Sequence, residues 1–219
     1  MAYRYSIGVL GAGAWGTALA EHLATPCGHR VLVWSYEKSA AKAINKKHQN
    51  PDFTGGAKLS ENISATTDPE EVMGECEMVI FASPSANCQE MAMALAPKLD
   101  DDQILIISAK GFRDGDGALL SDVWMEANPK FKNIVILSGP AFSQELIEQK
   151  PVTATLAADS HEVIKRVDRV FNSSLLRLYY GDDIIGTQVG GAIKNTVAIA
   201  AGDRKSTRLN SSHVCSSRM

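Results

Sequence analysis

Near the start of the chain, Gly11-Ala12-Gly13-Ala14-Trp15-Gly16 has a Gly-x-Gly-x-x-Gly spacing between an apolar run and a helical pattern. In such a turn the first glycine permits the tight bend, the second lets an anion approach the backbone, and the third lets the helix pack closely on the strand. The helix N-terminus adds unpaired N–H groups and partial positive charge. Gly11, Gly13, Ala14, Trp15 and Gly16 could therefore hold the pyrophosphate of a dinucleotide. Taken alone, the same spacing would also serve as a structural turn.

The nucleotide is chosen at the end of the second apolar run, about 20 residues on, where an Asp or Glu would bind the ribose hydroxyls of NAD. Ser35 and Tyr36 stand there instead. Without a carboxylate at these two positions, Ser35 and Lys38 could meet a 2′-phosphate, although Glu37 lies nearby. The pattern leans to NADP over NAD.

Later strand ends are rich in small and polar residues: Ser83-Pro84-Ser85, Ala109-Lys110-Gly111 and Gly139-Pro140-Ala141. In an open α/β sheet the ligand lies beyond the carboxyl ends of the strands, so Ser83 and Pro84 are candidate cofactor contacts. Lys110 can reach a bound anion or carbonyl, or it is a solvated loop lysine. Lys194 is more suggestive. Its helical neighbours Gly190, Gly191, Val197, Ala198 and Ala201 are all non-polar. Held over such a face near a cleft, its ammonium would be desolvated, which suits a general acid or base. The competing reading is a lysine that snorkels out of a helix interface.

These groups need a frame, and short apolar runs alternating with helical patterns supply it. Ser6–Leu10, Arg30–Trp34, Ile63–Thr66, Met78–Ala82, Gln103–Ser108, Ile134–Ser138, Val152–Ala157 and Leu176–Tyr180 read as strands. Trp15–Ala24, Asn87–Leu95, Gly117–Ala127, Phe142–Gln149 and His161–Phe171 read as helices. Runs such as Met78-Val79-Ile80-Phe81-Ala82 are apolar on both faces, as in a central sheet covered on both sides. The fold expected is a Rossmann-type, doubly wound, mostly parallel sheet. Lys46 to Ser60 reads as a long surface connection.

With 219 residues, 45% hydrophobic, the chain can bury a core. Its net charge of -3, with both signs scattered, offers no basic stripe for nucleic acid. Cys27, Cys76, Cys88 and Cys215 lie far apart with no metal-ligand spacing, so neither disulfides nor a metal is indicated, and a reducing cytoplasm fits. Arg4 and the apolar run to Ala20 imitate an export signal, but Gly8, Gly11, Gly13 and Gly16 would weaken the helix such a signal needs. The apolar stretch Ile184 to Gly202 is a poor membrane span, because Gln188, Lys194 and Asn195 would need partners in hydrocarbon.

The motifs around Gly11–Ala20, together with Ser108-Ala109-Lys110-Gly111, Ser138-Gly139-Pro140-Ala141-Phe142 and Gly190-Gly191-Ala192-Ile193-Lys194-Asn195, resemble the bacterial NAD(P)-dependent glycerol-3-phosphate dehydrogenases. The resemblance runs from about Ile7 to Gly202. It implies reduction of dihydroxyacetone phosphate to sn-glycerol 3-phosphate, a phospholipid precursor. It makes Lys194 the proton donor and acceptor, and Lys110 a contact to both substrate and cofactor. It puts Gly139, Ala141 and Asn195 at the substrate and Ser143 by the cofactor. Ala141 departs from the hydroxyl-bearing residue common in the family. For the full-length protein the resemblance allows a homodimer.

The resemblance divides the chain into a Rossmann domain, 1–183, and the first helix of a helical substrate domain, 184–202. The family's remaining helices, with the residues that bind substrate phosphate, would follow. Here residues 203–219 turn abruptly polar, look like a translated sequencing-library adapter, and are expected to be disordered and non-native. On this reading the chain is a fragment that binds NAD(P)H with negligible turnover. Rival readings are a lysine-dependent hydroxy-acid dehydrogenase and a non-catalytic NAD(P)H sensor.

Overall fold

A computed structural model describes residues 6–214, with side chains described through Gly202. Eight strands form one sheet: β1 (Ser6–Leu10), β2 (Arg30–Trp34), β3 (Ile63–Thr66), β4 (Met78–Phe81), β5 (Ile104–Ile107), β6 (Ile134–Ser138), β7 (Val152–Ala157) and β8 (Leu176–Gly181). Their order is β3-β2-β1-β4-β5-β6-β7-β8. All neighbours are parallel except β6 and β7, which run antiparallel with Leu137 opposite Leu156. The order reverses between β1 and β4, and that switch point opens a crevice at the carboxyl ends of both strands. The fold is the expected Rossmann-like sheet.

The helices are α1 (Ala14–Ala24), α2 (Lys38–Lys47), α3 (Pro51–Thr54), α4 (Pro69–Glu75), α5 (Cys88–Leu95), α6 (Leu120–Ala127), α7 (Ser143–Ile147), α8 (His161–Phe171) and α9 (Ile184–Val214). Because successive strand residues face opposite sides, β4 sends Met78 and Ile80 to one core and Val79 and Phe81 to the other. Leu19 and Leu23 of α1 and Val167 and Phe171 of α8 fill the first core. Met73 of α4, Met91 of α5 and Trp124 of α6 fill the second, where Trp124 meets Phe81 edge-on at 5.7 Å. Full burial of such a side chain stabilises by about 1.5–3 kcal/mol.

Four expectations change. Gly117 does not begin a helix: Gly115 and Gly117 sit at φ 97° and 73°, Phe112 bridges Leu119, and the helix starts only at Leu120. Lys46 to Ser60 is no simple surface connection, because α2 ends in it, α3 lies within it, Gln49 bridges Lys58, and Asn50 and Leu59 are buried. α4 was absent from the sequence reading although Asp68 caps it by accepting from Glu70 N, with Pro69 in its first turn. At the other end α9 continues to Val214, through the point where disorder was expected. Residues 203–214 hold no Gly or Pro that would break a helix. The rest of that tail, 215–219, lies outside the described residues.

Buried imidazoles tie α1 and the connection that follows it to the end of α8. His22 Nε2 donates to the Phe171 carbonyl at 3.1 Å, and His29 Nε2 to the Val170 carbonyl at 3.0 Å. Burial, only partly opposed by these bonds, holds both pKa values below the ordinary 6.5. The unfolded chain therefore takes up protons first as pH falls through 6.5, and folding stability is lost from there down to the folded-state values. Melting temperature should hold above pH 6.5 and fall below it, and His22→Gln, which keeps a donor that cannot titrate, should flatten the slope. A melting temperature that does not fall between pH 6.5 and the carboxylate range would contradict this.

Candidate active site

At the switch point lies a cavity of about 780 Å³, a size that suits a small-molecule cofactor. Its floor is the turn from Gly11 to Trp15. Gly11 has φ +128°, and a Cβ there would stand 2.9 Å from Ser83 N, so only glycine turns the chain beside β4. A Cβ on Gly16 would overlap the Gly11 carbonyl oxygen, which is how closely α1 packs on the turn. Gly16 is buried and shapes the cavity without lining it. Gly13 lines the cavity, and a Cβ on it would meet no protein atom within 4 Å, leaving that space to a ligand. No side chain caps α1, so its first-turn N–H groups keep their capacity for an anion.

One end of the cavity is walled by Trp34, Tyr36, Glu37 and Phe53. Ser35, expected to touch cofactor, is fully buried and donates its hydroxyl to the Glu37 carbonyl at 3.0 Å. Its backbone N–H bonds to the Thr66 carbonyl, continuing the pairing of β2 with β3. Ser83 and Pro84 line the middle, with the Ser83 hydroxyl tied to the Leu10 carbonyl at 2.9 Å.

The other end gathers the lysines. Lys110, just beyond β5, donates to the Gly139 carbonyl at 2.9 Å. Although Lys110 is exposed along its length, burial around its ammonium, with the Lys194 charge second, pushes its pKa below the ordinary 10.5. Lys194 of α9 is half-buried, not enclosed, and its Nζ lies 4.1 Å from the centre of the Phe142 ring. The second glycine of Gly190-Gly191 explains how α9 comes so near: a Cβ on Gly191 would overlap Ser138 Oγ. Ala141, Ser143 and Asn195 line the same end. Gly139 lines a smaller adjoining cavity of about 290 Å³ that shares Gly191 and Lys194 with the first.

Residues 6–164 match the model of the NAD-dependent glycerol-3-phosphate dehydrogenase N-terminus. The chain belongs to this family. It is 35% identical over 198 residues to the glycerol-3-phosphate dehydrogenase [NAD(P)+] of Geobacter sp. (strain M21), covering 90% of this chain and 59% of that protein. The Erythrobacter litoralis protein of the same name is 38% identical, with 90% and 58% covered. The crystal structure of glycerol-3-phosphate dehydrogenase from Coxiella burnetii superimposes with a TM-score of 0.85 at 27% identity, over 94% of this chain and 62% of that one. The chain thus spans about three fifths of the length of the curated relatives it matches.

A dinucleotide of the kind this dehydrogenase family uses fits the residues present: the uncapped α1 end and the open space at Gly13 suit its pyrophosphate, and Tyr36 and Phe53 offer flat faces to its adenine. Sequence reasoning noted Glu37 as a neighbour of the nucleotide end but did not place Trp34, Phe53, Asn87 or Phe142 at the cavity they line. Phe142 was visible in the Ser-Gly-Pro-Ala-Phe motif, whereas Phe53 sits in a stretch without periodicity. Among the described residues no group of acidic, His or Cys side chains could hold a metal, and no helix is long and apolar enough to cross a membrane.

Gly16→Ala drives a methyl into the Gly11 carbonyl and must displace the turn. NADH affinity of the variant should fall at least about tenfold, and its thermal stability by about 1–3 kcal/mol. Unchanged affinity in a fluorescence titration would contradict the packing role.

Proposed function

We propose that the chain is the cofactor-binding part of an enzyme that reduces dihydroxyacetone phosphate to sn-glycerol 3-phosphate with a nicotinamide dinucleotide. The observation carrying this reading is the convergence of Lys110, Lys194 and Asn195 at one end of a cavity whose floor is the glycine turn. Residues 1–183 act as the dinucleotide domain and 184–202 as the first helix of the substrate domain. Ile185, Ile193, Val197 and Ile199 on α9 are exposed, as expected of a helix that packs in the part the longer relatives add. This chain alone therefore binds cofactor and turns over negligibly.

When bound, the dihydronicotinamide supplies a hydride to the carbonyl carbon. The carbonyl π pair moves to oxygen, and Lys194 gives that oxygen a proton from its ammonium; in the reverse direction the neutral amine takes it back. Lys110, anchored on the Gly139 carbonyl, holds positive charge where oxygen becomes negative. Gly139, Ala141 and Asn195 shape the substrate end; Ser143 borders the cofactor. Ala141 supplies no hydroxyl, so polar recognition there rests on its neighbours.

Of the two cofactors, the sequence pattern leaned to NADP because no carboxylate stands at Ser35 or Tyr36 and because Ser35 and Lys38 could meet a 2′-phosphate. The Ser35 hydroxyl is committed to Glu37, and the residue lining the cavity beside Tyr36 is Glu37 itself. A carboxylate there repels a 2′-phosphate, which supports NAD.

A chimera joining this chain to the C-terminal part of the Geobacter enzyme should oxidise NADH with dihydroxyacetone phosphate, favouring NADH over NADPH. Lys194→Met in that chimera should lower kcat by about 10²–10⁴-fold with little change in the NADH Kd. An active chimera that keeps full kcat after the substitution, or a chain that binds no NADH, would overturn the reading.

A further inference from the structure

Behind the glycine turn, away from the cavity, the side chain of Asn50 is fully buried. Its Nδ2 donates to the Ala12 carbonyl at 2.7 Å and to Thr17 Oγ1 at 2.9 Å. The Thr17 hydroxyl in turn donates to the same Ala12 carbonyl at 3.2 Å. A carbonyl only accepts, so the amide nitrogen must face it, and the Asn50 side chain has one orientation. That orientation leaves Asn50 Oδ1 buried without a partner. A buried amide that leaves its own acceptor unpaired in order to aim both hydrogens at the turn is retained for those donors.

The consequence lies on the opposite side of one peptide bond. Among the described residues no peptide is cis, so the carbonyl of Ala12 and the N–H of Gly13 point in opposite directions within one plane. Drawing the Ala12 carbonyl back toward Asn50 turns the Gly13 N–H away from it, toward the cavity that Gly13 lines. We infer that Asn50 is a positioning residue for the phosphate-binding turn: it locks the Ala12–Gly13 peptide so that the Gly13 N–H is aimed at the pyrophosphate of a dinucleotide. This deepens the proposed function and rests on it.

The segment bearing Asn50 is itself held rigidly. The Asn50 carbonyl accepts from Phe53 N at 3.1 Å, Thr54 N at 2.9 Å and Thr54 Oγ1 at 2.9 Å. Just before it, His48 adopts a left-handed conformation at φ 49°, and its carbonyl accepts from Leu59 N at 2.7 Å. Three residues beyond Asn50, Phe53 lines the cavity. One short segment thus braces the turn from behind with Asn50 and walls the cavity with Phe53.

The test uses this chain with NADH as probe, read by fluorescence titration and by the Gly13 amide in ¹⁵N-resolved NMR spectra. In the unsubstituted protein the Gly13 N–H should shift strongly on saturation. Asn50→Leu, close in size but without the donor, should raise the NADH Kd roughly ten- to a hundredfold and abolish that shift in protein that still melts cooperatively. Thr17→Val, which removes one of the two donors to Ala12, should raise Kd by about three- to tenfold, and it decides the matter alone if Asn50→Leu does not fold. A general loss of packing would lower the melting temperature without selectively silencing Gly13. If the unsubstituted chain binds no NADH, both the dinucleotide reading and this inference fall. If it binds, and folded Asn50→Leu and Thr17→Val bind as tightly with the Gly13 shift intact, the positioning role is wrong while the dinucleotide reading stands.

Discussion

The contact between α1 and the turn that precedes it governs the rest of this structure. A Cβ at Gly16 has no room beside the Gly11 carbonyl, and one at Gly11 would press on the backbone of Ser83 at the end of β4. Two adjacent parallel strands and a helix therefore meet with only backbone between them. The arrangement aims the uncapped end of α1 at the switch point and stands it over the space that Gly13 leaves open. Everything that would recognise a dinucleotide is referenced to that contact, from the aromatic wall at Tyr36 and Phe53 to the lysines at the far end.

The lysine end repeats the device with different parts. Gly191 allows α9 to lie against Ser138 at the end of β6, and this proximity brings Lys194 over Phe142 and near Lys110. Two ammonium groups at one end of a cavity repel each other, and the lowered pKa of Lys110 reflects that repulsion on top of desolvation. The Gly139 carbonyl, which accepts from Lys110, partly offsets it. Such a site favours an electron-rich guest, as a carbonyl oxygen becomes when it accepts a hydride.

All eight strands were legible in the sequence, because their apolar runs are short, rich in β-branched or aromatic residues and bounded by turns. The glycine turn and the two lysines stood out in the sequence as well, and all of them line the cavity, although the residues alone left each lysine with a competing reading and only the family resemblance gave it a role. Ser35 is fully buried and does not line the cavity, its hydroxyl being taken up by the Glu37 carbonyl, an arrangement that the residue type alone did not reveal. Asn50 was missed because it sits in a stretch without periodicity, and its partners Ala12 and Thr17 are 38 and 33 residues distant. Helix α4 is a different case, since Asp68 and Pro69 announced its start and only its seven-residue length hid it. Local chemistry was readable, whereas the long-range hydrogen bonds that orient it were not.

If the cavity takes a dinucleotide with its pyrophosphate on the glycine turn, the nicotinamide ring falls beside Lys194. A crystal structure of the chain with NADH would decide this placement. Phosphate oxygens are expected within hydrogen-bonding distance of the Gly13 to Trp15 backbone, and the nicotinamide ring in the end of the cavity bounded by Lys194 and Phe142. A cofactor bound with its nicotinamide against Tyr36 and Phe53, or on the opposite side of the sheet from Lys194, would contradict it.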